Sequence, residues 1–197
     1  MEGTIIMLDL TNRINSKEQL SNILKYEKEV YNAGGIKYYF QISEKDILYK
    51  HQVLLRKTEY YLNSGKKALY VLYKFRLQRM QNKYALHIPL NCCDRGLKIM
   101  HLGPVLMNGQ VTVGKDCVFH MNTALVANGV SDEAPVLADR VVVGIGAIVL
   151  GGVYIAKNVA IGANAVVTKD VLEENIAVAG VPAKKISANG RLEWNKK

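Results

Sequence analysis

Four side chains of this sequence can exchange a proton near neutrality: His51, His87, His101 and His120. An imidazole with its ordinary pKa near 6.5 can act as a general base, a general acid or a metal ligand. The three cysteines, Cys92, Cys93 and Cys117, make no C-x-x-C, and no histidine stands beside them at ligand spacing, so no metal is expected. An odd count with two adjacent thiols is not a disulfide framework, and it fits a reducing, cytoplasmic setting with the thiols buried. The remaining chemical feature is charge: 26 Lys+Arg against 17 Asp+Glu, a surplus of +9. A basic surplus points to anionic partners, with nucleic acid, a membrane face and a phosphate-rich substrate all open.

The elements that must position these residues change character near residue 85. Residues 1–84 read as a helical domain. Ser16 followed by Gln19 is a capping box that opens a helix to about Tyr31, stopped by Gly34-Gly35. Ser43, with Asp46 in the first turn, opens a second helix on which Leu48, Val53, Leu55 and Leu62 recur, ending at Asn63-Ser64-Gly65. A third carries Leu69, Leu72, Tyr73, Leu77 and Met80 as its apolar face. Between residues 50 and 83 nine basic residues, Arg56 among them, meet the single acid Glu59. That surplus reads as a solvated face or as a contact with an oligomer partner, a phosphate-bearing substrate or a peripheral membrane surface. Nucleic acid is not expected, because no aromatic pattern interleaves with the basic cluster. The N-terminus lacks a basic n-region, and no stretch approaches a membrane span.

Residues 85–187 follow a six-residue rule. Val113, Phe119 and Leu125, then Leu137, Val143, Val149, Ile155, Ile161 and Val167 fall on one grid. Four positions after them stand small or β-branched residues such as Cys117, Thr123, Val141, Ala147 and Ala165. Three short strands per coil, joined by tight turns, satisfy this period with aliphatic ladders stacked inside a prism. Residues 127–136 interrupt the grid and read as a loop leaving the prism, a place where substrate chemistry tends to sit. Residues 188–197 form a tail.

The run GANAVVTKDVLEENIAVAGVPAKKI, Gly162 to Ile186, resembles the C-terminal signature of the bacterial hexapeptide-repeat acyltransferases. The stretch from Gly96 to Val126, with Met100-His101-Leu102-Gly103, is similar to a narrower group: the serine O-acetyltransferases and their relatives in polysaccharide gene clusters. The fold implied is α+β: an N-terminal α-helical domain followed by a left-handed parallel β-helix. The assembly implied is a homotrimer or a dimer of trimers with acetyl-CoA between neighbouring prisms.

Acetyl transfer to a hydroxyl needs a base and donors for an oxyanion, but no metal and no acyl-enzyme. The resemblance implies His101 as that base, with His120 lining the same groove. On the acetyl-CoA side it implies Ile145 and Ala163 along the pantetheine arm, Thr168 and Lys169 near the nucleotide end, and Lys184 on a phosphate. The sequence departs from the group at two places. His87 stands where the acid that orients the base is expected, leaving a backbone carbonyl, His87 or Asp94 for that task. Ala134, in Asp132-Glu133-Ala134-Pro135, replaces a histidine that contacts serine. The second departure points to a sugar hydroxyl of a surface polysaccharide or its precursor as acceptor, with serine as the alternative. A non-catalytic trimeric scaffold is the alternative of another class. A β-helix metalloenzyme of the carbonic anhydrase type is disfavoured by the histidine spacing.

Overall fold

The structure is a computed structural model that describes residues 13–33, 40 and 43–191. The Gly34-Gly35 stop and the last six residues lie outside them. The helices bounded within the described residues come first: α1 (Lys17–Val30), α2 (Glu44–Asn63) and α3 (Lys67–Tyr84). The predicted capping box at Ser16 forms, and the helix start at Ser43 carries a second one. Ser16 Oγ accepts from the Gln19 N–H, and Ser43 Oγ from the Asp46 N–H, while each N3 side chain returns to its cap. α3 stops where Ala85 turns left-handed, with φ 55.

Fourteen short strands follow, β1 (Leu86–His87) to β14 (Lys184–Ser187). From β4 (Thr112–Val113) to β12 (Val166–Val167) they enter three sheets in rotation. One sheet has the order β1-β3-β6-β9-β12, the second β10-β7-β4, the third β14-β13-β11-β8-β5-β2. Every pairing is parallel except the closing β13–β14 pair. The chain therefore winds as a three-sided coil, as the six-residue grid requires. Val113, Leu137, Val143, Val149 and Ile155 are fully buried, and Phe119, Leu125, Ile161 and Val167 nearly so. Each such side chain contributes roughly 1.5–3 kcal/mol of transfer free energy.

Coil length shows where the prism is disturbed. Leu137 pairs with Ile155, a regular coil of eighteen positions. Phe119 pairs with Val143 after twenty-four, the extra six being taken up in the 127–136 loop. Ile99 pairs with Phe119 after twenty, and the extra two fall in the turn that carries His101.

The helices are fastened to the first coil by a buried charge cluster. Arg56, 1% exposed, donates to both Glu27 carboxylate oxygens from Nε and Nη2 and to Glu59 from Nη1. It also donates to the Cys93 and Asp94 carbonyls at 2.8 and 2.7 Å. Glu27 in turn accepts from the Gly96 N–H, and Glu59 from the Asn91 N–H. The Ile99 N–H donates to the Tyr31 hydroxyl at 2.9 Å. Arg56 thus does not belong to the surface cluster in which its sequence neighbours place it.

Three apolar assignments on the helices are also corrected. Leu77 and Met80 are buried, but Leu69 is 41% exposed and Leu72 50%. Leu62, at the end of α2, is exposed as well. α3 carries two apolar stripes, an inner one through Tyr73, Leu77 and Met80 and an outer, exposed one. All three cysteines are buried free thiols. Among the described residues no helix is long and apolar enough to cross a membrane.

Candidate functional site

The strand pairings align residues into columns. Ile99, Phe119, Val143, Ile161 and Val178 form one inward ladder. Two positions later the chain rounds a corner of the prism, and the aligned residues there are His101, Met121, Ile145, Ala163 and Gly180. One corner therefore carries His101, Met121, Ile145 and Ala163 on successive levels. With about 4.8 Å between paired strands, Ile145 lies about 10 Å and Ala163 about 14 Å along the corner from His101. Lys184 opens β14 opposite Ala179, at the far end of the same corner. His120 sits on the neighbouring column. Thr168 and Lys169 do not join this group: they follow β12 and turn the next corner, across the sheet that contains β12.

Glycines let the coils approach here. A Cβ on Gly144 would lie 2.7 Å from the Ile161 carbonyl oxygen and 2.9 Å from the Ala163 nitrogen. Gly103 has φ +148, and a Cβ there would meet the Met121 Cβ at 2.9 Å. That close approach brings the two extra residues of the His101 turn down onto the next coil.

His101 is oriented by a residue the sequence did not single out. Its Nδ1 lies 3.3 Å from Glu44 Oε2, and the other Glu44 oxygen accepts the Leu102 N–H in a short hydrogen bond. Glu44 is the first residue of α2, held there by the Ser43 cap. His87 lies on the outside of β1, and the Asp94 carboxylate accepts from the Arg95 N–H, so neither expected residue takes this role. The contact is made through Nδ1, so Nε2 is the ring nitrogen left for another partner, and the His101 side chain is 53% exposed. No signal short of the fold links residues 44 and 101, which are 57 positions apart.

His120 faces the same space, with its ring centroid 6.3 Å from that of His101. Its pKa is pushed down, first by burial and then by the neighbouring His101. The backbone fixes it: its N–H donates to the Val143 carbonyl, and its own carbonyl accepts the Thr123 hydroxyl. The two imidazoles thus stand side by side, His101 held by Glu44 and His120 held through its backbone. Among the described residues no group of three His, Cys, Asp or Glu is arranged to hold a metal ion.

The 127–136 loop leaves the corner that also carries Thr168 and Lys169. Asn128 Oδ1 pins it by accepting the Val130 and Ser131 N–H groups. Glu133 lies against Gly152, where a Cβ would come within 2.6 Å of it, and Ala134 is 8% exposed.

Known proteins resemble the chain in both sequence and fold. A serine acetyltransferase of Synechococcus elongatus is 37% identical over 98 residues, which cover 49% of this chain and 40% of that protein. The serine acetyltransferase of Brucella abortus strain S19 in complex with coenzyme A superposes with a TM-score of 0.65 at 22% identity, over 88% of this chain and 70% of that one. That of Neisseria gonorrhoeae in complex with serine gives 0.63 at 22%, over 87% and 71%. No family model matches the chain. The chain spans about half the length of the curated relatives it matches, from 40% to 55% of each.

Proposed function

We propose that this chain, serine acetyltransferase-like in sequence and fold, is an acetyl-CoA-dependent O-acetyltransferase whose acceptor is the hydroxyl of serine. The observation that carries the proposal is the His101–Glu44 pair at the head of a corner that continues through Ile145 and Ala163 to Lys184. His101 Nε2 takes the hydroxyl proton as the oxygen attacks the thioester carbonyl. Glu44 holds the ring and offsets the positive charge that forms on it. The carbonyl oxygen gains charge and is met by backbone N–H groups on the turns. When the C–S bond breaks, His101 returns the proton to the leaving sulfur, so protons balance and no acyl-enzyme is needed. The exposed residues Ile145 and Ala163 suit the pantetheine arm of CoA, and Lys184 suits a phosphate at the end of the run. Thr168 and Lys169 reach the same ligand only from the adjoining corner.

The coil is left-handed in this reading, and the active unit is a trimer. The outer side of the sheet next to the site presents the aligned apolar residues Leu106, Ala124, Ile148 and Val166. A neighbouring prism covering them closes the open His101 corner and brings Thr168 and Lys169 of one chain toward the His101 of another.

The curated relatives are named serine acetyltransferases, and none of those names carries a sugar. One observation favours a different hydroxyl: buried Ala134 offers no imidazole where the resemblance places a serine contact. Comparing kcat/KM for serine with that for a panel of free and nucleotide-linked sugars decides between them. Serine is expected to be the better substrate by at least tenfold; a sugar preferred by that margin overturns the acceptor assignment and leaves the transfer chemistry standing.

A further inference from the structure

The outer stripe of α3 has no role in acetyl transfer. Ala68, Val71, Leu72 and Phe75 follow the i, i+3, i+4, i+7 rule of an amphipathic helix, yet they face away from the core. Val71 is 64% exposed and Phe75 60%. A contiguous apolar patch on a helix surface marks a contact.

Charge says with what. α3 has five basic residues and no acidic one. Arg76, Arg79 and Lys83 of α3 and Lys50 of α2 line one groove whose remaining walls are Leu54, Met80 and Tyr84. None of these four cations has a carboxylate partner among the described residues. The three on α3 lie only near aromatic rings: Arg76 by Tyr73, Arg79 by Phe75 and Lys83 by Tyr84. Arg79 and Lys83 continue the line of the apolar stripe, so the apolar and the cationic surface form one face.

We propose that this face docks on an anionic lipid surface, with Val71, Leu72 and Phe75 entering the headgroup boundary and the groove cations meeting lipid phosphates. Such a helix lies on a membrane rather than spanning it, in keeping with the absence of a spanning helix among the described residues. A small soluble anion would satisfy the groove but leave the apolar stripe bare. A second copy of α3 would cover the stripe but bring five more positive charges and no negative one.

The test is vesicle flotation of the full chain with phosphatidylglycerol–phosphatidylcholine vesicles, pure phosphatidylcholine vesicles and inorganic polyphosphate as competitor. Binding is expected to the anionic vesicles alone and to fall with added salt. Each cation near the surface is worth about fivefold in affinity, so R76Q/R79Q/K83Q is expected to weaken binding about 100-fold. L72S/F75S is expected to weaken it with the salt dependence kept. Thermal melts of both variants should match the parent, since all five side chains are exposed. Equal binding to both vesicle types, or to neither, overturns the proposal. So does tight binding of polyphosphate without vesicle binding. Loss of the oligomer in L72S/F75S without any lipid affinity in the parent assigns the stripe to a second copy and also overturns it.

Discussion

Replacing Arg56 with methionine tests how the helices hold the site. The guanidinium serves two carboxylates and two backbone carbonyls from a position that is 1% exposed. Burial pushes the Glu59 carboxyl up and Arg56 pulls it back down; removing Arg56 leaves only the Asn91 N–H to oppose the first effect. Among the described residues Glu27 keeps Gln52 and the Gly96 N–H. Breaking a buried pair from one side costs about 3–5 kcal/mol. That is a large share of the roughly 5–15 kcal/mol that holds a domain together. For a chain of 197 residues each kcal/mol moves Tm by about 2–4 °C, so a fall of about 6–20 °C is expected. Scanning calorimetry of R56M beside the triple variant E27M/R56M/E59L separates charge from packing. The triple variant, with no charge left unpaired, should recover most of the loss. Because α2 also carries Glu44, R56M should lose kcat more than acetyl-CoA affinity. An R56M protein melting within about 2 °C of the parent would refute the reasoning, since the charges would then be solvated.

Other consequences follow from single residues. E44Q keeps an acceptor for the Leu102 N–H but removes the charge facing His101. A pair exposed on both sides adds little stability, so Tm should hold within about 2 °C while kcat drops about tenfold; an unchanged kcat contradicts the orienting role. His51 is buried, its pKa pushed down to about 4 by burial and then by Arg56. The unfolded chain therefore binds the extra proton between about pH 6.5 and 4, and stability falls as pH drops through that window, by about 3 kcal/mol in all. Acid unfolding of H51Q should lose that slope. K184A should raise the acetyl-CoA KM about fivefold and spare the acceptor KM; equal KM values for acetyl-CoA remove Lys184 from the phosphate.

The prism was legible because its inward positions recur every six residues in the chain itself, from Val113 to Val167. The capped helix starts were legible for the same reason: Ser16–Gln19 and Ser43–Asp46 act within one turn. What the sequence could not order was everything that depends on distance across the fold. Arg56 reads as surface charge until Glu27, 29 positions earlier, meets it in the core. Glu44 does not stand out in the sequence until the His101 turn comes down beside it. On α3 the apolar residues are dense enough to satisfy two stripes, and period alone did not say that Leu69 and Leu72 belong to the outer one. The 127–136 loop was visible as an interruption of the grid. The shorter two-residue excess at His101 was not, since it breaks no aliphatic run.

The central claim is that His101, held by Glu44, makes this corner an acetyl-transfer site. Thiol release from acetyl-CoA in the presence of serine, measured for the parent chain and for His101→Ala, tests it most directly. The account predicts acceptor-dependent release of one thiol per acetyl group transferred, and a loss of at least a hundredfold in kcat for the variant with its fold intact. Release that persists undiminished in the His101→Ala protein, or no release with serine or any sugar offered to the parent, contradicts it.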